Sequence, residues 1–202
     1  MNHPMSIPPS AGEPLPGRRL VLAAPFALLL PAPPAWAQTT EAAPKLDVPY
    51  VPTPQPVVDK MLEMAKVGRG DVLYDLGCGD GRIVVTAAQK HGARGVGIDI
   101  DPRRIEEARQ NAEQAGVTEQ VEFRVGNLFQ SDFSRASVVT LYLLPEINQK
   151  LRPQLWRQLK VGTRVVSHAF DMGEAWPPER TARVGNSTLY SWTVKPAHKK
   201  RA

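Results

Sequence analysis

Residues 72–83 read V-L-Y-D-L-G-C-G-D-G-R-I, an apolar run that meets an aspartate and then three glycines spaced two apart. Val72, Leu73 and Tyr74 favour a strand, and Asp75 stands where a parallel strand would end. Gly77, Gly79 and Gly81 tolerate positive φ and let a ligand lie against bare backbone. Residues 82–90 then carry Ile83, Val84, Ala87 and Ala88 at helical spacing, so a helix N-terminus points back at the loop. A strand, a glycine turn and a helix N-terminus make a nucleotide cradle, and they place the chain in the α/β class.

The spacing bears on which nucleotide. A dinucleotide fingerprint is G-x-G-x-x-G, whereas this loop reads D-x-G-x-G-x-G. Downstream, residues 93–101 read A-R-G-V-G-I-D-I-D, a second strand that reaches Asp99 about 20 residues beyond the loop. A carboxylate at that point accepts hydrogen bonds from both ribose hydroxyls and disfavours a 2′-phosphate. An ordinary glycine turn accounts for the first element but not for the second in register with it.

Asp75-Leu76-Gly77-Cys78-Gly79-Asp80-Gly81 together with Asp99 resembles motif I and the acidic loop of class I S-adenosylmethionine-dependent methyltransferases. The likeness extends over about residues 50–194. Tyr50-Val51-Pro52-Thr53-Pro54, followed by Val57-Val58-x-x-Met61-Leu62, is similar to the opening of the short bacterial and mitochondrial-type protein-lysine methyltransferases. A more distant likeness is to the non-SET histone lysine methyltransferases. The resemblance implies a single Rossmann-like domain with a seven-stranded sheet whose last strand is antiparallel, and S-adenosylmethionine as cofactor. It assigns roles residue by residue. Backbone at Gly77 and Gly79 lines the methionine moiety, Cys78 packs between them, and Asp75 meets the ammonium directly or through water. Asp99 holds the ribose and Ile100 packs on the adenine face, with plain core as its alternative. Asn127 stands where many relatives carry an acid that accepts the adenine amino proton. Tyr50 and Thr53 cover the cofactor from the N-terminal segment.

Methyl transfer from an activated sulfonium asks mainly that a neutral nucleophile be held in line. Residues 141–146, L-Y-L-L-P-E, fall at the acceptor position, where amine-methylating relatives acting on nucleic acids carry N-P-P-Y. The chain lacks that motif, which favours an apolar, lysine-sized slot over a base pocket. A small-molecule acceptor stays open. Tyr142 is the candidate to orient the amine, and His168 and Asp171 are candidate proton acceptors; packing is the alternative for each. No metal-ligand spacing, G-x-S-x-G nucleophile or Y-x-x-x-K pair occurs, which disfavours metal-assisted hydrolysis, acyl transfer and nicotinamide-dependent oxidoreduction. A non-catalytic exported module that keeps the fold is the competing reading.

The N-terminus motivates that alternative. Arg18-Arg19 precede an apolar run over residues 20–30 and an A-x-A site at Ala35–Ala37, so residues 1–37 read as a secretory signal, with partial twin-arginine character. An uncleaved anchor and a misplaced start are the alternatives. The run is broken by Pro25 and Pro31 and falls short of a ~20-residue membrane span. Export would part the enzyme from cytosolic S-adenosylmethionine, and one cofactor carried out with a folded protein would not sustain turnover. Formal charge is +5 and becomes +4 without Glu13, Arg18 and Arg19, which gives no nucleic-acid footprint. The lone Cys78 forms no internal disulfide.

Residues 38–49 read as a linker, 50–195 as the domain and 196–202 as a solvated basic tail. Periodicity predicts helices over 56–65, 102–115 and 146–159, the last interrupted near Pro153. It predicts strands over 121–125, 137–144 and 162–170, and a closing hairpin over 181–184 and 189–194 through Gly185-Asn186.

Overall fold

The structure is a computed structural model that describes residues 50–201. The signal, its cleavage site and most of the linker lie outside the described residues.

The chain alternates helix and strand: α1 (Gln55–Met64), β1 (Val72–Leu76), α2 (Arg82–His91), β2 (Arg94–Asp99), α3 (Pro102–Gln114), β3 (Val121–Val125), β4 (Val138–Leu141), α4 (Pro145–Gln158), β5 (Arg164–His168), β6 (Arg180–Val184), β7 (Ser187–Thr193) and α5 (Pro196–Lys199). The sheet order is β3-β2-β1-β4-β5-β7-β6. Strands β1 to β5 pair in parallel, and β7 enters antiparallel between β5 and β6. The expected Rossmann-like seven-stranded sheet is therefore present, in one α/β domain. Among the described residues no helix is long and apolar enough to cross a membrane.

Order follows from the residues. Central strands β1 and β4 are buried along nearly their whole length, as strands covered on both faces must be. One face is covered by α1, α2 and α3, through Val58, Met61, Leu62, Val84, Ile105 and Ala108. The other is covered by α4 and by a cluster of Phe133, Trp156, Trp176 and Trp192. Leu62 is fully buried, so Leu62→Ala is expected to cost about 2–5 kcal/mol, read as a lowered urea midpoint with an unchanged slope. Asp101 caps α3, its carboxylate accepting from the Arg103 amide at 2.9 Å, with Pro102 at the first helical position.

Three details differ from the sequence expectations. Helix α4 runs unbroken through Pro153. Gln149 and Pro153 are both exposed, so the carbonyl that loses its helical donor lies on the solvent side. Strand β4 ends at Leu141, because Tyr142 to Leu144 turn out of the sheet toward Pro145. The C-terminal segment is not a free tail. Helix α5 stacks His198 on Trp156 (5.4 Å) and brings it within 5.1 Å of Trp176, while Lys199 and the following Lys200 stay exposed.

Candidate active site

The cleft lies beyond the C-terminal ends of β1, β2 and β4, where the strand order reverses and open α/β sheets bind ligands. Its free volume is about 1010 Å³, open mouth included. Tyr50, Thr53, Asp75, Gly77, Cys78, Gly79, Asp99, Ile100, Asn127 and Tyr142 all line it.

The glycine loop is tied to β2: the Gly77 and Cys78 amides both donate to the Ile98 carbonyl, at 2.8 and 3.0 Å. Gly77 and Gly79 have φ of 83° and 52°. A Cβ at Gly77 would stand 2.7 Å from Leu143, and one at Gly79 would stand 2.4 Å from the Tyr50 ring. These glycines serve the floor and the cover of the cleft together. Gly81 serves packing, since a Cβ there would meet Phe123 at 2.6 Å and Ala108 at 2.8 Å.

Asp99 is held by two backbone donors, the Gly79 amide on Oδ2 (2.8 Å) and the Asp101 amide on Oδ1 (3.0 Å). Each oxygen keeps a further lone pair, and Asp99 lines the cleft. Asp75 is 2 % exposed and accepts from the Thr140 hydroxyl at 2.7 Å, a bond set by the Asp75–Thr140 register of β1 on β4. Burial pushes its carboxyl up to about 7, with Asp99 and Asp80 adding repulsion and Thr140 opposing. Burial acts the same way on Asp80, but the Arg82 guanidinium outweighs it and holds that carboxyl below the usual range. Burial also raises the Cys78 thiol well above its ordinary value, so Cys78 is a packed, unreactive side chain. Its sulfur sits against Gly97, where a Cβ would meet it at 2.8 Å.

Asn127 is on the wall, but its side-chain oxygen already accepts from the Phe129 amide at 2.9 Å and caps the short turn over Leu128–Gln130. Its amide group and one lone pair are left for a ligand. Tyr50 is 41 % exposed and lies between Gly79 and the Arg104 guanidinium, 4.5 Å from the ring centroid. Thr53 is buried, and its carbonyl accepts from Arg82 at 3.0 Å. Tyr142 is half-buried and faces the cleft beside Leu143 and Ile147. His168 lies behind Tyr142, with ring centroids 3.9 Å apart, and does not reach the cleft wall. Asp171 sits on an exposed loop and accepts from the Gly173 amide at 2.9 Å. Among the described residues no cluster of His, Cys or carboxylates could hold a metal.

Sequence reasoning passed over several wall residues. Asp80 and Arg82 flank the last glycine of the loop, and their spacing two apart is the available signal. Arg104 lies three residues beyond the α3 cap, and Phe129 is an exposed aromatic at the mouth. Neither carries a local pattern.

The residues fit S-adenosylmethionine. Bare glycine backbone admits the methionine chain, the doubly anchored Asp99 suits two vicinal hydroxyls, and Ile100, Leu128 and Phe129 offer apolar surface to a flat ring. Asp75 and Asp99 set carboxyl groups in the cleft that no arginine pairs with, which suits a ligand bearing an ammonium and a sulfonium.

Known proteins agree with this geometry. Residues 75–180 match the model of the ANTKMT methyltransferase domain. A protein-lysine N-methyltransferase of Saccharolobus islandicus is 47 % identical over 73 % of this chain and 94 % of its own. The mouse adenine nucleotide translocase lysine N-methyltransferase is 31 % identical over 74 % of this chain, which spans 65 % of that enzyme. A Salinibacter ruber structure, described as an RNA methyltransferase in complex with S-adenosyl-L-homocysteine, is 62 % identical. It superposes with a TM-score of 0.71 over 72 % of this chain and 95 % of that one. A glycine cradle, an aspartate anchored at the end of β2 and kinship over most of the domain have one common explanation: the chain belongs to the ANTKMT methyltransferase domain family, whose cofactor is S-adenosylmethionine.

Proposed function

We propose that the chain methylates the side-chain amine of a lysine in a protein. The observation that carries this is the acceptor end of the cleft, where Tyr142, Leu143 and Ile147 supply aromatic and aliphatic walls. A long alkyl stem fits such a slot, and a flat polar base edge finds few partners in it. The Saccharolobus and mouse relatives, both described as lysine methyltransferases, support the same reading.

S-adenosylmethionine, when bound, supplies a methyl group on a positively charged sulfur. The chain's own task is then to hold and to exclude. Asp99 and the glycine loop fix the cofactor end, and the 50–54 segment shields the cleft from water. Tyr142 stands at the acceptor end to orient a neutral amine, whose proton leaves to water before transfer.

The Salinibacter protein's description favours a second reading, an RNA acceptor. The basic residues here argue against it: Arg82 and Arg104, which line the cleft, are engaged by Asp80 and Tyr50. The test is incubation of the protein and labelled S-adenosylmethionine with undermethylated host extract, then treatment with protease or ribonuclease. Protease-sensitive label recovered as methyl-lysine is the expected result. Ribonuclease-sensitive label, or label in the small-molecule fraction, would overturn the proposal.

A further inference from the structure

Segment 50–54 crosses the cleft as a strap, and it is fastened at separate points. Tyr50 rests on Gly79 under Arg104, and the Thr53 carbonyl accepts from Arg82. The third fastening comes from the end of β5. The Thr53 hydroxyl lies 3.2 Å from His168 Nδ1, a contact that spans 115 residues of sequence and is buried. His168 Nε2 lies 2.9 Å from the Ser187 hydroxyl at the start of β7. The ring is further backed by Tyr142 and is 3 % exposed.

This arrangement is poor for a base and good for a fastening. Both ring nitrogens already face hydroxyls, and neither is directed at the cleft. Hydroxyls donate or accept, so a neutral imidazole of either tautomer satisfies both bonds. Burial lowers the tendency of His168 to take a second proton and keeps the ring neutral. The next residue, Ala169, has φ of 66°, a conformation side chains rarely adopt, and its amide is held by the Thr188 carbonyl at 2.8 Å. The exit of β5 is thus fixed at the point where His168 must meet the strap.

We propose that His168 is a positioning residue that latches the 50–54 strap over the cofactor cleft through the Thr53 hydroxyl. Its contribution is to slow cofactor escape rather than to move a proton. The proposal rests on the cofactor site and not on the identity of the acceptor.

The test is the dissociation rate of S-adenosylhomocysteine from the full chain, followed by displacement. Thr53→Val keeps the shape and removes the hydroxyl, His168→Ala removes the latch, and His168→Asn keeps a polar atom at the Nδ1 position. Thr53→Val and His168→Ala are each expected to speed release about tenfold, and the double variant no more than His168→Ala alone. His168→Asn is expected to stay within about threefold of the parent, although it has no imidazole. Parent-like release from Thr53→Val, or multiplied effects in the double variant, would overturn the latch. Release from His168→Asn as fast as from His168→Ala would also overturn it, by showing bulk rather than the hydrogen bond to matter. Should His168→Ala fail to fold, Thr53→Val and His168→Asn decide the matter. No acceptor is needed, so these results leave the lysine reading to its own experiment.

Discussion

Replacing Asp99 by alanine is expected to weaken S-adenosylhomocysteine binding at least roughly 100-fold, a loss of about 3–6 kcal/mol for two hydrogen bonds to a charged acceptor. Two effects add. The ribose hydroxyls lose the carboxylate that would accept from both. The Gly79 and Asp101 amides, now 2.8 and 3.0 Å from Asp99, also lose their acceptor, which loosens the glycine loop and the cap of α3 together. Asp99→Asn separates these contributions. It keeps one oxygen for a backbone amide and gives up the second acceptor and the charge, so an intermediate affinity is expected. Calorimetric titration of the three proteins measures the series. Full affinity in Asp99→Ala would remove Asp99 from the site.

The second large effect concerns pH. Asp75 titrates near 3.8 in an open chain and at about 7 in the fold, where burial disfavours its charge. Between those values the folded chain holds a proton that the unfolded chain has released. The contribution of Asp75 to stability is therefore complete below about pH 3.8 and is lost as pH rises through about 7. Asp75→Asn removes that dependence, so the variant is expected to gain more thermal stability relative to the parent at pH 8 than at pH 5. Cofactor binding runs the other way. An ammonium beside Asp75 favours the carboxylate, so affinity should rise by up to about tenfold per pH unit below 7 and level off above it. Asp75→Asn should bind more weakly and show a flat profile. A parent affinity that does not change between pH 5 and 7 would show that Asp75 meets no cation.

Local pattern made much of this protein legible. The glycine loop, Asp75 and Asp99 lie within one strand-turn-helix-strand unit, so spacing along the chain nearly equals neighbourhood in space. The hairpin around Gly185-Asn186 was readable for the same reason. What spacing did not disclose arises where the chain returns. Thr140 meets Asp75 only because β4 pairs with β1, and His168 meets Thr53 only because α1 packs beneath β5. Arg104 reaches Tyr50 across the cleft from a helix whose visible pattern is its buried stripe. Pro153 differs for another reason: proline inside a helix removes a hydrogen bond wherever it falls, but here the orphaned Gln149 carbonyl lies on the water side and the helix continues. The aromatic seat of α5 was hidden because Trp156, Trp176 and His198 are far apart in sequence.

The sheet order also decides what the molecule shows to its neighbours. Its two outer strands are β3 and β6. On β3, Glu122 and Arg124 are exposed and paired with each other; on β6, Arg180 and Arg183 are exposed. A foreign strand pairing with either border would have to strip water from these charges. Both β3 and β6 are also only five residues long. Placing the seven-residue β7, with Leu189 and Trp192 buried, inside and the arginine-bearing β6 outside leaves a border that disfavours pairing with a foreign strand.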